Sequence, residues 1–285
     1  MNIITLNNDT LSLQCRLQGA VILNLVADDG QSILRPALNP LAEPGECAMF
    51  PLLPLANRVA GNAFPWQGRR IALPRSPYDE RFFLHGDGWL RTWRMLDLQP
   101  DAVTLDLDSW LPGMYRYHAT ACYQLQANAL LATLNITNTA DSPFPFGLGF
   151  HPFLAKTAAM RLSFPAQGYW PEQEYHLPGE WHSGLPADLD FTSPRIPGSQ
   201  WINNAFSGWR GNAELADDDA IVTLRGSTDI LMVYQPEQSD FICLEPQTHP
   251  VNAHNLPGYP GLAILEPEQS LNLTISIIRS VLAKT

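Results

Sequence analysis

The sequence predicts an all-β protein, a large antiparallel β-sandwich with few short helices. Three observations carry that expectation. Apolar residues recur with period two over several long segments, long amphipathic helical patterns are absent, and proline and glycine punctuate the chain at short intervals. In chain order, Val103, Leu105 and Leu107 alternate with Thr104, Asp106 and Asp108. Leu130, Ala132, Leu134 and Ile136 follow, with polar neighbours from Thr133 onward. Near the end, Leu271, Leu273, Ile275 and Ile277 alternate with Asn272, Thr274 and Ser276. Each pattern describes a strand with one face in a core and one in water. Proline supplies 25 of 285 residues, about 9% against a usual share of about 5%.

No internal repeat and no linker divides the chain, so residues 1–285 are expected to form a single domain, a size that all-β domains reach as one unit. The stretch from Pro165 to Gly211 is rich in Pro, Trp and Gly with weak alternation. It reads as long excursions over the sheet, which in compact folds are often functional.

Composition narrows the function. With 45% hydrophobic and 16% charged residues the chain is not disordered. Its formal charge of −11 repels phosphate backbones, so nucleic acid is not an expected partner. The start, MNIITLNNDT, has no basic region followed by an apolar run, and no stretch approaches a membrane span, so a soluble, cytoplasmic protein without membrane partners is expected. Cys15, Cys47, Cys122 and Cys243 form no CxxC pair and read as buried reduced thiols. Lys156 and Lys284 are the only lysines; neither lies in a P-loop, and an imine mechanism is disfavoured. A GxSxG elbow is missing.

Four segments stand out from this background: Pro54-Leu55-Ala56-Asn57-Arg58-Val59-Ala60-Gly61, Phe83-Leu84-His85-Gly86-Asp87-Gly88-Trp89, Phe146-Gly147-Leu148-Gly149-Phe150-His151-Pro152-Phe153, and Phe241-Ile242-Cys243-Leu244-Glu245-Pro246-Gln247-Thr248. Each sets an ionisable residue among apolar or small ones, where burial shifts pKa values and restricts motion. Of the other histidines, His118 reads as a sheet-surface residue, and His176, His182, His249 and His254 read as solvent-facing loop residues. Trp66, Trp93 and Trp110 are assigned to the core.

Together, and in this order, the four segments resemble the aldose 1-epimerase (galactose mutarotase-like) family, over roughly residues 47–255 and again in the C-terminal strand. The resemblance implies an open cleft for a monosaccharide substrate, and interconversion of the α and β anomers of a free aldose without a metal or organic cofactor. It assigns His151 as the acid at the ring oxygen, Glu245 as the base at the anomeric hydroxyl, and His85 and Arg58, beside Asn57, as the groups that hold and polarise the sugar. Where the family usually has an aspartate, this chain reads Ile202-Asn203-Asn204-Ala205-Phe206, so Asn203 takes the holding position with an amide that carries no charge. Trp89 and Phe206 are expected as aromatic contacts to the sugar.

The residue types suit the reaction. Opening a cyclic hemiacetal removes a proton from O1 and delivers one to O5, and a carboxylate and an imidazolium placed across the ring do both. The expected charge states are a protonated His151 and an ionised Glu245. Three other readings stay open. One is a phosphosugar epimerase, with Arg69, Arg70, Arg75 or Arg81 at the cleft. Another is a non-catalytic sugar-binding protein. The third is a metal site built from His85, His151 and Glu245. The oligomeric state is not legible in the sequence.

Overall fold

The computed structural model describes residues 3–282. Every strand pair within its sheets is antiparallel, and the helical elements among the described residues are five single turns of 3₁₀ helix. An eight-stranded sheet and an eleven-stranded sheet dominate, beside a small hairpin, Ala63–Trp66 with Arg69–Ala72, and a two-stranded pairing of Phe144–Phe146 with Ala263–Leu265. No helix among the described residues is long and apolar enough to cross a membrane.

The three alternating segments all fall in the eight-stranded sheet, as Ala102–Leu111, Ala129–Asn138 and Ser270–Val281, joined through Tyr115–Gln126. Register aligns their apolar positions in rows. Leu105, Ala121, Leu134 and Leu273 lie opposite one another across four strands, and all four are fully buried. The row on the other face is Thr104, Cys122, Thr133 and Thr274. Cys122 is therefore only half-buried, unlike the other three thiols, because its even position turns it to the outer face. Trp110 obeys the same parity: it stands 65% exposed opposite Arg116, not in the core. Trp93 is buried as expected and Trp66 partly so.

The eleven-stranded sheet behaves differently. Gly149–Ala155 is buried at six consecutive positions, and Phe241–Gln247 at six of seven. One face packs against the eight-stranded sheet, through Leu154, Leu231 and Leu244. The other packs a second cluster that includes Phe50, Leu52, Trp89, Phe153 and Cys243. A strand covered on both sides reads as an apolar run rather than an alternation. The same cause corrects the reading of 165–211. Within it, Ile202–Ser207 is an inner strand between Ile230–Gln235 and Gly168–Trp170, buried at five of its six positions.

Candidate active site

Two rows of side chains on the eleven-stranded sheet make the floor of a cleft of about 440 Å³. Register pairs Gly149 with Gln247 and Phe153 with Cys243, so His151 falls opposite Glu245. On its other side His151 pairs with Phe50 of Met49–Leu52. Two residues along, Phe153, Cys243, Tyr234 and Asn203 form the second row.

His151 Nε2 lies 3.3 Å from Glu245 Oε1, and both residues are buried. The imidazole is stacked on Phe50 at 4.7 Å and on Phe153 at 4.6 Å between ring centroids. Gln247 Nε2 donates to Glu245 Oε2 at 3.0 Å. This wrapping strips water from both groups and disfavours their charged forms. Burial pushes the Glu245 carboxyl up to about 8 and the His151 imidazole down to about 3. Burial thus works against the expected imidazolium–carboxylate pair and toward a carboxylic acid beside a neutral imidazole. The expected placement across the ring is also corrected. The two groups sit side by side on one floor because they are directly opposed on neighbouring strands.

His85 and Asn57 make one wall. The Asn57 backbone N–H donates to His85 Nδ1 at 3.0 Å, and the His85 backbone N–H donates to the Asn57 carbonyl at 3.0 Å. Nδ1 is thereby an acceptor, which leaves Nε2 as the N–H of a neutral ring. Burial, followed by the nearby His151 and Arg58 charges, holds His85 well below the usual histidine range. The next residue must be glycine: at φ +69° a Cβ on Gly86 would meet the Leu53 carbonyl oxygen at 2.2 Å. That carbonyl accepts the N–H groups of Asp87 and Gly88. Arg58 is anchored by Nε to Asp79 Oδ2 at 3.1 Å, and its Nη1 reaches Asn57 Oδ1 at 3.4 Å. Trp89 stacks on Phe50 at 5.1 Å and is 3% exposed, so it backs the cleft rather than offering a broad open platform.

The floor ends at Asn203, whose Nδ2 donates to Glu172 Oε1. Phe206, expected at the sugar, is fully buried and packs on Phe164 with ring centroids 5.1 Å apart. Alternation explains the miss, since three residues beyond Asn203 is the opposite face of the strand. Sequence reasoning passed over Phe50, Glu172, Trp201 and Tyr234, and it sent His176 to solvent. His176 is exposed, yet its ring lines the cleft beside Trp201, 5.7 Å between centroids. Nothing local marks these residues; long-range pairing brings them in.

His249 and His254 correct the solvent assignment, each being 1% exposed. Nε2 of His249 accepts the Ala56 N–H at 3.1 Å and Nδ1 donates to the Pro250 carbonyl at 2.8 Å, so a neutral ring is satisfied at both nitrogens. Arg70, Arg75 and Arg81 line a separate groove, and none of the four candidate arginines lines the cleft. His85, His151 and Glu245 do not bring three ligand atoms within 4.8 Å of one another. Among the described residues Asp106, Asp108 and His118 do, but Arg94 already bridges the two aspartates.

Comparison with known proteins follows the same lines. The chain is 35% identical to the uncharacterized protein YphB of Escherichia coli (strain K12), over 97% of this chain and 98% of that one. A crystal structure from Escherichia coli K12, of a protein provisionally assigned as an aldose 1-epimerase, superposes with a TM-score of 0.93 at 33% identity over 99% of both chains. The GalM/aldose epimerase homologue of C. elegans shares the fold, with a TM-score of 0.83 at 16% identity over 99% of each chain. The sequence profile described as Aldose 1-epimerase matches residues 2–277. The chain belongs to the aldose 1-epimerase family.

Proposed function

We propose that this protein is an aldose 1-epimerase that interconverts the α and β anomers of a free aldose. The observation that carries the reading is the 3.3 Å contact between His151 and Glu245 on the floor of a cleft sized for a small molecule. O1 and O5 of a cyclic aldose are both bonded to C1, so an acid and a base side by side reach both.

The pair shares one mobile proton, which burial favours on the carboxyl. With that proton on His151, Glu245 takes the O1 proton while His151 Nε2 delivers its own to O5. The C1–O5 bond breaks and O1 becomes the carbonyl oxygen. The aldehyde then rotates about C1–C2 and the ring closes on its other face by the reverse steps. No covalent intermediate forms. The neutral His85 Nε2–H and the Arg58 guanidinium hold sugar oxygens and draw electron density from them. Burial matters for the proton count. A solvated carboxyl would lose its proton near 4.5, whereas burial keeps one on Glu245 up to about 8.

NMR saturation exchange between the anomers of D-glucose and D-galactose tests the reading, comparing the intact protein with Glu245→Gln and His151→Asn. General acid or base catalysis contributes about 10²–10⁴-fold, so each variant is expected to lose at least about a hundredfold in kcat. Equal, buffer-level exchange by all three proteins would overturn the activity and favour a non-catalytic sugar-binding protein.

A further inference from the structure

Glu172 is a carboxylate that the acid–base chemistry does not use, and three chain segments converge on it. It lies in the connection after Gly168–Trp170. Its Oε1 accepts from Asn203 Nδ2 and contacts His176 Nδ1, and its Oε2 accepts from Trp201 Nε1 at 2.6 Å. The side chain is 21% exposed, so the carboxylate is partly withdrawn from water. His176, Trp201 and Asn203 all line the cleft, and Glu172 ties them to one another from behind.

The consequence falls on Asn203. An amide left free can turn either its oxygen or its NH2 toward a ligand. Here Nδ2 is committed to Glu172, and it also lies 3.3 Å from His176 Nδ1. Rotating the amide by half a turn would set its oxygen against the carboxylate oxygen, two acceptors with no proton between them. Oδ1 is the atom left to face the cleft. It has no protein donor among the described residues, and it is not sealed from the cleft.

We propose that Glu172 is a positioning and specificity-determining residue. It locks the Asn203 amide with its oxygen toward the ligand, so that this end of the cleft selects a sugar hydroxyl that donates a hydrogen bond. It also places a negative charge directly behind that oxygen, strengthening it as an acceptor. Ligands with fluorine or hydrogen in place of that hydroxyl lose the contact. The proposal rests on the epimerase reading for the nature of the ligand, but its test does not depend on turnover.

Dissociation constants for D-glucose, D-galactose and their monodeoxyfluoro analogues are measured by titration, alongside KM and kcat from anomer exchange. An amide free to turn its NH2 toward the hydroxyl leaves that donor unmatched, so Glu172→Gln is expected to weaken binding of the better hexose about tenfold, with kcat within about twofold. One fluoro analogue that binds the intact protein poorly should bind Glu172→Gln no worse than the parent hexose does. Asn203→Asp alone should bind poorly, because it sets two carboxylates against each other. Adding Glu172→Gln to it should bring affinity back to within about threefold of the intact protein, since a carboxylate has no wrong orientation. Trp201→Phe, which removes one bond holding Glu172, gives a milder check should Glu172→Gln fold poorly; its expected loss is about threefold. Unchanged affinity in Glu172→Gln, or undiminished affinity in Asn203→Asp alone, overturns the proposal. If the intact protein binds hexose but does not exchange its anomers, the epimerase reading falls, and the dissociation constants still decide the role of Glu172.

Discussion

The two large sheets solve different problems with the same strand geometry. The eight-stranded sheet has one dry face and one wet face, and its sequence alternates accordingly: Leu130, Ala132, Leu134 and Ile136 are buried and the residues between them half-exposed. The eleven-stranded sheet is covered on both faces where Gly149–Ala155 meets Phe241–Gln247, and it uses that covering to hold an imidazole and a carboxyl away from water. One sheet spends its burial on stability. The other uses burial to set proton affinities, and it carries ionisable groups that a stability-driven core would exclude.

The largest expected effects would break this division if they fell on the wrong sheet. Glu245→Gln and His151→Asn should abolish most anomer exchange yet leave the fold intact, because each replaces a buried neutral group by one of similar size. Leu134→Ala, at the centre of the fully buried row Leu105–Ala121–Leu134–Leu273, should do the reverse. Removing a buried leucine side chain costs about 2–5 kcal/mol. Denaturant unfolding should show that loss, while KM at low temperature stays within about twofold of the intact protein. A Leu134→Ala variant of unchanged stability but altered KM would mean that the eight-stranded sheet shapes the cleft directly.

Acid should find the same boundary. His85 and His151 at the cleft, and His249 and His254 away from its lining, are all buried and all held below the ordinary histidine range by desolvation, His249 to about 4. Below pH 6.5 the unfolded chain binds protons on these rings that the folded chain refuses. Their contribution is therefore complete above about 6.5 and is lost as the pH falls toward their folded values. For His249 alone that is on the order of 3 kcal/mol. Glu245 works in the other direction. Its proton stabilises the fold fully below about 4.5, and that contribution is lost as the pH rises through about 8. Thermal unfolding should give a midpoint that falls between pH 7 and 4. Hydrogen exchange at pH 4.5 should weaken in Gly149–Ala155 before Ala129–Asn138. A flat midpoint over that range would show that the histidines are solvated.

The same contrast explains how much was legible in the sequence. Solvent on one face writes the period of two into Val103–Leu107 and Leu271–Ile277, and those strands were read correctly together with their inward residues. His85, His151 and Glu245 were visible as ionisable residues in apolar runs, and the acid and base roles proposed for His151 and Glu245 came from the family resemblance. Their proton affinities were not legible, because these depend on Phe50 and Phe153 closing over His151, and Phe50 lies about a hundred residues away in the chain. Parity along a strand would have moved Trp110 out of the core and Phe206 out of the site, had the strand bounds been known. Glu172 left no trace, since a glutamate in a Pro-rich loop is ordinarily solvated and only tertiary packing brings it to Asn203.

The smallest effect asks whether the two rows of the cleft floor have separate tasks. His151 and Glu245, the proposed proton-transfer pair, lie in the first row; Asn203 lies in the second, two positions along each strand, and touches neither. An interaction made equally with substrate and transition state raises KM when it is removed and leaves kcat unchanged. On the proposed reading, Asn203→Ala removes one hydrogen bond to a hydroxyl that takes no part in ring opening. A loss of about three- to tenfold in affinity is expected, with turnover at saturating sugar within about twofold. If saturating sugar fails to restore the rate, the second row also aligns the sugar for proton transfer, and the separation of holding from chemistry fails within this one sheet.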